Sequence, residues 1–190
     1  MRHAIMMALV LVPMLAACSE QRAPGPCCPC APGAQQLDEQ LMALLSAARS
    51  YHHQADLQLQ GGDRAAAIAT LNKLLELDLA AKWPEAEEAR LDGAARLAKL
   101  LVAAGELKQA QELVDKQLGS EPRESFYLGN LHAVRGEILE TRVKQLDADG
   151  QKDQARVLAK EAISAFEHSI SINKRLQARH AADSKGGKAR

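Results

Sequence analysis

The sequence predicts an all-α protein, an array of about three antiparallel helical hairpins behind a disordered N-terminal tether. Three observations carry that prediction. Residues 35–173 hold only five Val, five Ile, two Thr and five aromatic residues, while Ala and Leu dominate. Strands draw on β-branched and aromatic runs of period two, so this composition favours helix throughout. Apolar residues also recur at steps of three and four, and glycines divide the helical stretches at regular places.

Leu37, Leu41, Leu44, Ala48, Tyr51, Ala55 and Leu59 mark one face of a first long amphipathic helix. Gly61-Gly62-Asp63 ends it, with glycine suited to the left-handed conformation past a helix and Asp to the next N-cap. Ile68, Leu71, Leu74 and Leu75 define a second helix, which continues towards Asp78. Trp83-Pro84 opens a third over residues 85–104, since proline is tolerated in a first helical turn. A fourth spans residues 107–118, and Gly119-Ser120-Glu121-Pro122 breaks the chain after it. Two longer helices, residues 124–146 and 151–176, flank Asp147-Ala148-Asp149-Gly150.

The hairpin turns repeat one another. After Gly62, Gly105 and Gly150 comes a polar residue, and alanine stands five positions on, at Ala67, Ala110 and Ala155. Seven residues before each glycine stand Ala55, Ala98 and Val143, so the third hairpin departs from the small-residue pattern. The arrangement resembles tetratricopeptide repeats, whose helix pairs carry a small residue in each helix and a glycine at the turn. The likeness is densest over residues 51–78, weaker over 90–122 and poorest in the third hairpin. Glycine spacings of 43 and 45 exceed the family period of about 34 residues, and HEAT-like helix pairs share that longer period. The resemblance implies a groove lined by the first helix of each pair. Aligning the turn glycines places Arg49, His52, Asp56, Asp92, Lys99, Glu137, Glu140 and Lys144 on that surface, a mixed charge suited to a charged peptide.

The N-terminus is of another kind. A short charged start, Met1-Arg2-His3, precedes fourteen uncharged residues, Ala4 to Ala17. That run is too short for a bilayer-spanning helix, which needs about 20 apolar residues, and reads as a secretory signal peptide. Leu15-Ala16-Ala17-Cys18 resembles the lipobox of bacterial lipoproteins, which implies cleavage before Cys18 and acylation of its thiolate. Several acyl chains would then hold the chain to membrane lipid. Ser19, in place of the aspartate associated with inner-membrane retention, implies an outer-membrane anchor facing the periplasm. Residues 1–17 are thus expected to be the signal peptide, 18–35 a lipidated tether rich in Pro, Gly and Cys, 36–178 the helical domain and 179–190 a disordered basic tail.

Cys27, Cys28 and Cys30 lie within Ala23 to Gly33, where four prolines favour extended chain. No strand precedes the C-x-x-C spacing, as a thioredoxin-like site requires, and no second cysteine pair completes a four-cysteine zinc site. The favoured reading is a tether whose odd thiol pairs with another molecule; a metal or redox site is the rival.

Overall charge is balanced at 24 basic and 24 acidic residues, yet unevenly distributed. Residues 35–173 carry 16 basic against 22 acidic residues, and residues 174–190 carry six against one. No groove-reading motif accompanies the basic tail, so no nucleic-acid partner is expected. A solvated helix end explains its cations, and contact with anionic envelope polymer or lipid is the sharper alternative. His132 and His168 stand 18 residues either side of Gly150, hence at similar height on one hairpin, with Glu167 nearby. Two imidazoles fall short of the three or four ligands of a zinc site, so no metal or other cofactor is expected. The sequence has no glycine-rich phosphate loop, nucleophile elbow or H-E-x-x-H motif, so no enzyme is expected. The expectation is a membrane-anchored scaffold that binds a protein or peptide; the alternative is a self-assembling helical spacer that forms oligomers.

Overall fold

A computed structural model describes residues 38–77 and 83–186. The expectations for Cys18, Cys27, Cys28, Cys30 and the segments 1–17 and 18–35 therefore lie outside the described residues. Six helices follow one another: α1 (Glu39–Gln60), α2 (Arg64–Leu75), α3 (Pro84–Ala103), α4 (Leu107–Leu118), α5 (Phe126–Ala148) and α6 (Lys152–Gly186). Among the described residues there is no strand, and no helix is long and apolar enough to cross a membrane.

Local chemistry sets the helix starts. Asp38 caps α1 by accepting from the Gln40 amide at 3.0 Å, and Asp63 caps α2 by accepting from Ala66 at 2.9 Å. Pro84 occupies the first position of α3, where no backbone donor is required. Ser125 accepts from the Leu128 amide at 3.2 Å, so α5 begins at Phe126, two residues later than its apolar pattern predicts. Glu124 is thereby left outside the helix, and its carboxylate pairs with Arg175 and Arg179 of α6. The second helix ends three residues earlier than expected, because Leu77 donates to Leu74 at 3.2 Å and closes a tighter last turn.

The three turns share one geometry. Gly62, Gly105 and Gly150 take φ of 81°, 84° and 75°, a region closed to most side chains. Each following residue reaches back five positions to a carbonyl: Asp63 to Gln58, Glu106 to Leu101 and Gln151 to Leu146, all at 2.8 Å. The glycine amides bond three residues back, which completes a Schellman cap at every turn. The chain reverses, and Ala67, Ala110 and Ala155 are buried where the second helix meets the first.

Each hairpin packs on the next: α1 on α2, α2 on α3, α3 on α4, α4 on α5, and α5 on α6. The odd-numbered helices also touch in sequence, α1 with α3 and α3 with α5, whereas α2 and α4 do not meet. One continuous core runs from Ala48 and Ala55 of α1 through Leu71, Leu74, Leu91, Leu97 and Val114 to Leu131 and Ile138 of α5. Each fully buried leucine there contributes roughly 1.5–3 kcal/mol by leaving water. The one polar group held deep between α1 and α2, Thr70, donates to Gln58 Oε1 at 2.8 Å.

The third hairpin closes differently. Val143, at the position held by Ala55 and Ala98, is only partly buried. The close approach has moved to Gly136, where an added β-carbon would stand 2.7 Å from the Phe166 ring. Helix α6 also carries residues 179–186, for which composition predicts a disordered tail. Ala, Arg and Lys propagate a helix without burial, and the Arg179–Glu124 pair fastens the first of these turns to the chain before α5.

Charge placed at the alanine contact should therefore separate from charge placed beside it. Ala110 is fully buried, and Ala110→Glu is expected to cost at least about 2 kcal/mol through overpacking and an unpaired buried carboxylate. Lys108 has a side chain 90% exposed, and Lys108→Glu should stay within about 0.5 kcal/mol. Urea denaturation measures both, and equal midpoints would refute packing through the glycine-to-alanine motif.

Candidate functional site

The contact of α1 with α3 leaves a cleft of about 530 Å³ between them, which Tyr127 of α5 also lines. Helical spacing assembles it. From α1, Leu45, Ala48, Arg49, His52, His53 and Asp56 share one face, each with a partner three or four residues away; from α3, Glu85, Glu88, Ala89, Asp92 and Arg96 do the same. Ala48 is buried at the floor, and the charged residues stand on the walls.

At the centre lies a polar network between the two helices. Arg96 pairs with Asp56 and also donates from Nη1 to His52 Nδ1 at 3.2 Å. Guanidinium has no acceptor, so His52 Nδ1 must present its lone pair. The neutral ring then carries its proton on Nε2, which lies 3.5 Å from Asp92 Oδ2. Burial holds the His52 pKa below its ordinary 6.5; Arg96 and His53 act in the same direction, while Asp92 and Asp56 oppose them.

The eight residues that sequence alignment placed in the groove divide into two sets. Arg49, His52, Asp56 and Asp92 line the cleft. Lys99, Glu137, Glu140 and Lys144 lie outside it, further along α3 and α5: Lys99 bridges to Glu137 at 3.3 Å, and Lys144 to Glu140 at 2.7 Å. Sequence reasoning passed over Arg96, although it stands one turn beyond Asp92 on the same face. It also passed over Tyr127, which only the stacking of α5 against α3 brings to the cleft. Glu85, Glu87 and Glu88 look alike in a first helical turn, yet they separate here. Glu87 turns away to Arg123 at 3.1 Å, while Glu85 and Glu88 face the cleft.

His132 and His168 do come together, stacked with ring centroids 5.4 Å apart and planes inclined by 19°. His168 Nδ1 donates to the Ser164 carbonyl at 2.7 Å, while His132 Nδ1 is buried without a partner. Burial lowers the His132 pKa, helped by His168 and Arg135. Glu167 adds no third ligand, and no group of three metal-ligating side chains occurs among the described residues.

Residues 48–80 match the family model of the tetratricopeptide repeat. The match takes in the second half of α1 and all of α2, the stretch in which the sequence likeness is densest. The hairpin array is thus tetratricopeptide-like, and repeats of this kind typically build protein-binding scaffolds. The chain matches no curated protein and no solved structure.

The two half-buried histidines, His52 and His132, tie stability to pH with a definite sign. Both have folded pKa values below the unfolded value of 6.5, so the unfolded chain binds more protons as pH falls. Their contribution is fully present above pH 6.5 and is lost as acidification passes the folded values. The melting temperature is expected to fall between pH 7.5 and 5, and His52→Gln with His132→Gln should flatten that fall. Thermal melts across the range check it, and an unchanged slope in the double variant would contradict the assignment.

Proposed function

We propose that this chain is a tetratricopeptide-like scaffold that binds a protein segment, held in the cell envelope by lipid on Cys18. The observation that carries the binding role is the cleft between α1 and α3. It is open, lined by both helices and Tyr127, and carries charged groups on walls held in place by the Arg96–Asp56–His52 network. Polar groups fixed by their neighbours select a partner at lower entropic cost than mobile ones. No step of this role requires catalysis.

The envelope part of the proposal rests on the sequence. Leu15-Ala16-Ala17-Cys18 supplies a lipidation signal, Ser19 favours the outer membrane, and the Pro-rich residues 23–33 would space the helical body from the bilayer. A periplasm-facing anchor would present the cleft to other envelope proteins. The second reading, a self-assembling spacer, draws on α6, which packs on α5 alone and exposes Val157, Ile163 and Ile170 by more than half.

Two measurements test the proposal. A photocrosslinking residue at position 49 is expected to capture a protein in cells, with the adduct lost on Asp56→Lys and absent from exposed position 160. Identical adducts at both positions, or dimers of this chain alone, would favour the spacer. For the anchor, Cys18→Ala should release the protein from membranes or leave an uncleaved precursor. A processed, membrane-bound variant of unchanged lipid mass would rule out acylation at that cysteine.

A further inference from the structure

The charges of the cleft are not evenly spent. Four carboxylates line it, Asp56, Glu85, Glu88 and Asp92, against two guanidinium groups, Arg49 and Arg96. Arg96 is taken by Asp56, and Asp92 faces His52. That leaves Glu85 and Glu88, which have no ion pair among the described residues, against Arg49 alone. The two glutamates stand three residues apart on α3, so they face the same way.

Beside them is an aromatic surface. Tyr127 lines the cleft, and together with Glu88 it also lines a second cleft over the start of α5. The two clefts therefore share Glu88 and Tyr127 as a common border. Phe126 meets Tyr127 edge-on, with centroids 5.7 Å apart, and remains 63% exposed. The other carboxylate of the second cleft, Glu124, is already held by Arg175 and Arg179. Its His180 is exposed.

Unpaired carboxylates in one cleft with a partly exposed tyrosine ring suit a cation on a flexible apolar stem. The charged head meets the carboxylates, and the stem and head together cover the ring. Deepening the scaffold reading, on which this rests, we propose that the cleft takes a basic polypeptide segment, with a lysine or arginine side chain seated against Tyr127 between Glu85 and Glu88. The excess of acidic residues over residues 35–173 would draw such a segment in by long-range attraction. The dipole of α3 accounts for acids in its first turn, but not for the aromatic pair beside two that remain unpaired.

The test uses the full chain and two fluorescein-labelled peptides of equal length, one alternating Lys and Ala, the other Glu and Ala. Anisotropy titrations are expected to show the lysine peptide binding, weakened roughly tenfold by Glu85→Gln with Glu88→Gln and by Tyr127→Leu. Arg49→Gln should tighten it, a gain that misfolding cannot imitate, and Lys160→Gln should leave it unchanged. Preference for the glutamate peptide, or lysine-peptide binding indifferent to the glutamate pair, overturns the proposal. So does binding of neither peptide. If position 49 still crosslinks a protein in that last case, only the basic-segment assignment falls; if it does not, the scaffold reading falls with it.

Discussion

The reversal at Gly62, repeated at Gly105 and Gly150, is the constraint on which this molecule depends. With φ near +80°, the glycine brings the chain back so that the residue after it bonds a carbonyl five positions earlier. That geometry fixes the rotation with which the second helix leaves the turn. Alanine five residues on then faces the first helix and lets the two backbones approach. Every hairpin closes alike, and where the first helices pack side by side, α1 against α3, the cleft lies between them.

The third hairpin shows the same constraint met by other residues. Val143 is too large for the position that Ala55 and Ala98 hold, and Gly136 against Phe166 supplies the close contact two turns earlier. A missing side chain on α5 accommodates a ring from α6. On the same hairpin His132 and His168, each 18 residues from Gly150, form a stacked pair. The length of α6 follows from contacts outside the core, where Glu124, freed by the Ser125 cap, receives Arg175 and Arg179.

Within the cleft, geometry and electrostatics are coupled through Arg96. Its guanidinium holds Asp56 and dictates the tautomer of His52, whose Nε2 proton then faces Asp92. One residue thereby orients groups from both walls. Arg49, Glu85 and Glu88 line the same cleft outside this network and make no ion pair among the described residues.

The sequence by itself determined the helices, their turns and the alanine contacts, because each of these is written in residues close together along the chain. Glycine followed five positions later by alanine, Asp63 at an N-cap and Pro84 at a helix start act over one or two turns. The tetratricopeptide resemblance, counted back from each turn glycine, also put Arg49, His52, Asp56 and Asp92 on one expected surface. What only the tertiary structure decided is which neighbours meet across helices. Lys99 and Glu137 share the expected face but neutralise each other, Glu87 is met by Arg123 from beyond α4, and Tyr127 joins the lining of a cleft built by two other helices. Those outcomes depend on the distance and rotation between helices, which are set by side-chain volumes summed over a whole interface. No local stretch of sequence carries that sum.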